Sequence, residues 1–234
     1  EPSLEAARLD YYTQADGKHY FGLALKPTDG AAVPGGRDVV VLFDTSASQT
    51  GQYRADALAT LDDMLSQLGP EDRVRLIAVD LHAIPLTDDF VAADGPEMAA
   101  AREKLDGRVP LGSTDMTKAL VAAVESYGPK PEGPRGAVYI GDGMSTAELL
   151  ATEEFRELAG RLSAARLPIH SCPIGPKVDR QLLGSLAANT GGRVIELSEQ
   201  AGANLADAVD AAVYWPQDVT PPEEGELYPK PFPP

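Results

Sequence analysis

Asp44, Ser46 and Ser48 stand at alternate positions directly after the apolar run Val39-Val40-Val41-Leu42-Phe43. One carboxylate and two hydroxyls at that spacing are hard oxygen donors, suited to Mg²⁺, Mn²⁺ or Ca²⁺ rather than to a soft metal. The same residue types also make turns and helix caps, so the triplet alone serves either purpose. Two later segments add to the same chemistry: Gly112-Ser113-Thr114-Asp115 and Tyr139-Ile140-Gly141-Asp142-Gly143. Two carboxylates brought together repel, and a divalent cation between them relieves that repulsion. A doubly charged ion held by such carboxylates and neutral hydroxyls approaches charge balance. A shell of roughly six oxygens then has room for water or for a partner's carboxylate.

Catalysis by the serines needs a base within hydrogen-bond reach. His170 starts a strand and is expected at the end of the sheet away from Asp44. His82 reads as an exposed residue of a tight connection. Neither is placed to activate Ser46 or Ser48. No second metal cluster and no Lys or Arg beside the motifs supports phosphoester hydrolysis. A phosphate loop of the form G-x-x-x-x-G-K-[ST] is also missing from the sequence.

The elements that must position these residues alternate between strand and helix. Residues 38–43 form a continuous apolar run, as a strand covered on both faces requires. Leu58, Leu61, Leu65 and Leu68 share a helical face over 53–68, and Gly69-Pro70 stops that helix. A second strand spans 74–79, and Leu81-His82-Ala83 leads into a short edge strand at 84–86. Residues 96–105 form a helix with Pro at its start. Thr114 or Asp115 caps the next helix, with Met116, Leu120, Val124 and Tyr127 on one face. Strands at 137–140, 168–174 and 194–197 follow, separated by helices at 152–165 and 182–188. Leu205, Val209, Ala212 and Val213 mark a last helix ending near Trp215. This alternation predicts an α/β fold: a doubly wound, mostly parallel, Rossmann-like sheet with helices on both faces.

Taken in this order, the three polar segments resemble the metal-ion-dependent adhesion site of the von Willebrand factor A (VWA) family. The resemblance covers roughly residues 37–214. It implies a six-stranded sheet of order 3-2-1-4-5-6, with strand 3 antiparallel at the edge. Ligands of such sheets bind outside the carboxyl ends of the strands, where the order reverses. That point lies between strands 1 and 4, which places Asp44 and Asp142 on opposite lips of one crevice. The resemblance further implies one divalent cation, Mg²⁺ first, with Mn²⁺ or Ca²⁺ as alternatives. Its coordinating residues would be Asp44, Ser46, Ser48, Thr114 and Asp142. Ser46 and Ser48 would bind directly, the others directly or through water. Asp115 would cap the helix or support the ligands from behind. Ala47 and Gln49 stand where the family more often has Gly and Met, and neither supplies a ligand.

The implied function is a metal-dependent protein-binding or adhesion module, not an enzyme. It would accept an Asp or Glu carboxylate from a partner protein. The run Tyr20-Phe21-Gly22-Leu23-Ala24-Leu25 and the segment Arg37-Asp38-Val39-Val40 resemble A domains of the inter-alpha-trypsin-inhibitor heavy-chain kind. That favours an extracellular, cell-surface or periplasmic location. Three alternatives stand: an intracellular adaptor for an AAA-type or chelatase-like machine, a structural module of a large surface protein, or a metal phosphoesterase.

Composition excludes other classes. The net charge of −16 opposes binding to a nucleic-acid backbone or an anionic membrane surface. No stretch reaches the roughly 18 apolar residues that span a bilayer. The one cysteine, Cys172, forms no internal disulfide and reads as a buried thiol. Expected domain limits are 1–36 for an N-terminal extension with a leading strand, 37–214 for the A domain, and 215–234 for a Pro-rich linker or tail. The start at Glu1, without Met, fits a piece of a larger multidomain chain.

Overall fold

The computed structural model of the chain describes residues 7–25, 35–128, 133–148 and 150–215. The Pro-rich stretch 216–234, residues 26–34 of the N-terminal extension and residues 129–132 lie outside the described residues. The chain divides into two compact units, Glu1–Val33 and Pro34–Pro234.

The first unit contains an antiparallel hairpin of β1 (Ala7–Thr13) and β2 (His19–Leu25). Asp16-Gly17 makes the turn, with Gly17 at φ 85°, a conformation that glycine adopts without steric cost. The sequence reading anticipated the second strand of this pair and missed the first. The alternation in β1 is interrupted by the pair Tyr11-Tyr12.

The second unit runs β3 (Asp38–Asp44), α1 (Gln52–Gln67), β4 (Arg73–Val79), β5 (Ala83–Pro85), β6 (Val91–Ala92), α2 (Pro96–Asp106), α3 (Met116–Glu125), β7 (Arg135–Gly141), α4 (Thr152–Ala164), β8 (Ile169–Pro173), α5 (Arg180–Thr190) and α6 (Ala201–Asp210). Its sheet has the order β5-β4-β3-β7-β8, with β4, β3, β7 and β8 parallel and β5 antiparallel at the edge. The first five positions of the expected order therefore hold.

The sixth differs. Residues 194–197 contribute one parallel bridge, Ser171 to Val194, held by Ser171 N–H to Arg193 O at 2.9 Å and Ile195 N–H to Ser171 O at 2.8 Å. Glu196 and Leu197 then turn out to solvent, which keeps this edge short. The sixth strand of the sheet is instead β6, antiparallel to the start of β4.

Alternate residues of β3 feed two cores. Val39, Val41 and Phe43 pack with α1, α2 and α6, while Val40 and Leu42 pack with α3, α4 and α5. The inward face of α1 is centred on Ala57, Leu61 and Met64, and Leu58, Leu65 and Leu68 lie at its margin. The leucine spacing pointed to a stripe rotated from the true one, because α6 packs against α1 so closely that a Cβ on Gly202 would meet Asp63 and Met64 at 2.6 Å. Helix α6 ends at Asp210 rather than near Trp215. Leu205 and Val209 are buried, whereas Ala212 is exposed. Among the described residues no helix is long and apolar enough to cross a membrane.

Candidate metal centre

Asp44 is the last residue of β3 and is fully buried. The chain beyond it stays tied to β4, since Thr45 donates to Val79 O through its N–H at 2.7 Å and its hydroxyl at 3.1 Å. Asp44 Oδ1 accepts Ser46 N–H at 2.8 Å, which closes a tight turn. That turn brings Ser46 Oγ and Ser48 Oγ to 2.9 Å from each other. From the loop before α3, Thr114 Oγ1 donates toward Asp44, 3.2 Å from either carboxylate oxygen. Four of the five expected ligands thus meet in one hydrogen-bonded set.

Asp142 follows β7, and its Oδ1 accepts Met144 N–H at 2.9 Å. It is buried, and its charge acts on Asp44. Burial raises the Asp44 pKa above the usual carboxylate range. Hydrogen bonds from Tyr139 and Ser46 oppose that shift, and the Asp142 charge adds to it. Two glycines permit this approach. A Cβ on Gly141 would lie 2.4 Å from Asp44 Cβ, and one on Gly175 would lie 2.5 Å from Asp142 Cβ.

Asp115 caps α3, accepting Lys118 N–H at 2.9 Å, and pairs with Lys118 Nζ at 2.8 Å. Its carboxylate is thereby engaged with the helix.

Tyr139 lies within the motif Tyr139-Ile140-Gly141-Asp142-Gly143, whose spacing gives it no role. Its hydroxyl donates to Asp44 Oδ2 at 2.7 Å and accepts Gly143 N–H at 3.1 Å. Burial first, and then the Asp44 charge, hold the phenol pKa well above its usual value, so it remains a donor. The available signal was a polar tip inside a fully buried strand. Gln49 was likewise passed over. It is buried and donates through Nε2 to Ile174 O at 2.8 Å, tying the Ser46–Ser48 turn to the end of β8.

The donor set fits a hard divalent ion: two carboxylates and three hydroxyls, all oxygen. Among the described residues neither Asp44 nor Asp142 forms an ion pair with Lys, Arg or His. Also among the described residues, no cluster of three or more His, Cys, Asp and Glu could hold a metal, so the case depends on the hydroxyls. His82 is exposed after β4. His170, the second residue of β8, is buried, with its pKa pushed down to about 4 by burial and the Arg193 charge. Neither imidazole hydrogen-bonds Ser46 or Ser48. Cys172 is buried, its thiol pushed up to about 12, so it carries little thiolate.

Residues 37–195 match the von Willebrand factor type A domain family. No curated protein matches the chain. Among solved structures, a von Willebrand factor type A protein from Catenulispora acidiphila is 18% identical, with a TM-score of 0.62. That match covers 75% of this chain and 41% of the other, so the chain spans about two-fifths of that protein. Manganese-loaded Plasmodium vivax TRAP protein is 16% identical, TM-score 0.60, over 77% of this chain and 76% of its own. Proximal thread matrix protein 1 of the mussel byssus, with a zinc-occupied MIDAS motif, is 17% identical, TM-score 0.57, over 75% and 45%. At such identities the likeness is one of fold.

Proposed function

Because this chain belongs to the von Willebrand factor type A domain family, we propose that Asp44, Ser46, Ser48, Thr114 and Asp142 hold one divalent cation through which the domain binds a partner protein. One observation carries this reading. Asp44 is fully buried, feels the charge of Asp142, and has no ion-paired cation among the described residues. A buried carboxylate with no cation in direct contact is costly. A cation taken from solution resolves that cost, and it supplies an electrophilic point that accepts an Asp or Glu carboxylate.

The protein's own groups prepare the centre. Tyr139 and Ser46 N–H orient the Asp44 carboxylate, Met144 N–H orients Asp142, and the turn presents the Ser46 and Ser48 oxygens side by side. The manganese in the Plasmodium structure and the zinc in the mussel structure support a divalent ion in this fold. Hydroxyl and carboxylate donors favour Mg²⁺, then Mn²⁺ or Ca²⁺. A binding role is proposed rather than a reaction, since neither His82 nor His170 hydrogen-bonds either serine and the Asp44 carboxylate beside Ser46 is itself a proposed ligand. The limits 37–214, flanked by an extension at 1–36 and a Pro-rich linker at 215–234, belong to the same reading. So do the inter-alpha-trypsin-inhibitor-like subtype and a place in a longer extracellular or surface chain. The byssal matrix neighbour supports that location by analogy.

Thermal melting tests the centre. Mg²⁺ at about a hundred times its Kd should stabilise the fold by about 2.7 kcal/mol, and Asp44→Asn should abolish the gain. A gain unchanged in Asp44→Asn refutes the assignment. Partner capture on the Mg²⁺-loaded domain should be released by EDTA and weakened by Thr114→Ala.

A further inference from the structure

The surroundings of the centre are uneven. On the side of the α2–α3 loop, Val109 is 77% exposed, Leu111 73% and Leu81 45%. Scattered exposed apolar residues are ordinary, but the loop that carries Leu111 is fastened to the Asp44 turn. Leu111 N–H donates to Thr45 O and Ala47 N–H donates to Gly112 O, each at 3.0 Å. A Cβ on Gly112 would touch Leu81 Cγ at 3.7 Å, so the Leu81 side chain lies over that glycine. Arg108, next to Val109, is taken up by Asp80 at 2.5 Å and by Thr45 Oγ1 at 3.1 Å. Lys118 is taken up by Asp115 and by Leu81 O. The ledge therefore offers apolar surface without a spare cation. On the side of Asp142 the exposed described residues include Thr146, Ala147, Glu148, Pro176 and Lys177, and none of them is a large aliphatic or aromatic side chain. That side therefore carries charges of both signs, and the exposed large apolar surface lies on the other.

We propose that Leu81, Val109 and Leu111 receive an apolar side chain from the same partner segment whose carboxylate meets the cation. The occupant is a protein loop or peptide with an Asp or Glu near a large aliphatic or aromatic residue. This inference rests on the metal-centred reading above and adds the partner's local sequence. A ledge already pinned by backbone hydrogen bonds loses little freedom on binding, which favours its use as an anchor.

Displayed random peptides containing one fixed Asp test it. Peptides are captured on the wild-type protein in Mg²⁺ and released with EDTA. The released pool should be enriched in a large apolar residue at one constant offset from the acid. The double variant Leu81→Ser/Leu111→Ser alters exposed side chains, and circular dichroism checks its fold. It should keep the Mg²⁺-dependent rise in melting temperature and bind the selected peptide about tenfold more weakly, the scale of one buried aliphatic contact. An EDTA-released pool with no apolar preference overturns the ledge. So does a preference that persists on the double variant. No released peptide despite a Mg²⁺-dependent melting shift overturns carboxylate docking, and loss of both signals overturns the metal centre itself.

Discussion

At the amino ends of the parallel strands, Asp38, Asp72 and Asp210 each face an arginine. Arg73 meets Asp38 at 2.8 Å, and Arg37 meets Asp210 at 2.6 Å and Asp72 at 3.9 Å. At the carboxyl ends, Asp44 and Asp142 face hydroxyls, amides and each other. The two poles belong to one sheet and draw on one acidic composition, so the contrast is local. Where an acid only joins elements, a cation from the chain sits beside it. Where the acids are buried and lack that partner, the balancing charge is expected from solution.

The largest effect expected from breaking this contrast is at Gly141. Gly141→Ala drives a Cβ into Asp44 and Tyr139. The overlap involves fully buried groups, so it should cost about 4 kcal/mol in urea unfolding, at the upper end of overpacking effects. It should also remove the response to Mg²⁺. A stable variant with its Mg²⁺ response intact would mean that the two lips do not need this close approach.

A somewhat smaller effect concerns His170, buried in β8 and unused by the centre. Its pKa falls from the usual 6.5 to about 4. The unfolded chain takes a proton as pH drops through 6.5, whereas the folded chain refuses it until about 4. Stability should therefore decline across that window, by about 3 kcal/mol in total. Asp44 works in the opposite direction without metal: its raised pKa makes the folded state lose stability as pH rises. The measurement is thus the difference in urea stability between wild type and His170→Gln at each pH. A pH-independent difference would show that His170 does not titrate as its burial requires.

The smallest effect is at the arginine pole. Arg73 grips Asp38 through two hydrogen bonds of 2.8 Å but is more than half exposed. Arg73→Ala should cost only about 0.5 kcal/mol, less at high salt, and equally in Mg²⁺ and in EDTA. A loss that depends on Mg²⁺ would couple the two poles and dissolve the comparison.

Much of the candidate site was legible because its signals are local. Asp44, Ser46 and Ser48 follow a run apolar enough to be a covered strand, and Asp115 sits where a helix cap belongs. Tyr139 was not legible in role. Its partner lies 95 residues away, and only the register of β3 against β7 brings the two together. The hairpin strand β1, the two-residue β6 and the shortened edge at Val194 are likewise products of pairing rather than of composition. The inward face of α1 keeps Leu61 but is centred with Ala57 and Met64, leaving Leu58, Leu65 and Leu68 at its margin, where Gly202 lets α6 press against Asp63 and Met64.

By itself, then, the sequence determined the alternation of strands and helices, the helix stop at Gly69-Pro70 and the oxygen donors at the ends of the right elements. Period, capping and turn chemistry act over a few residues, so one chain read in order reveals them. Only the tertiary structure decided which strand closes the sheet's order, which face of each helix is inward, and that Asp44 lies buried within reach of Asp142's charge. Those outcomes depend on packing and hydrogen bonds between segments far apart in the chain, whose energies no local pattern contains.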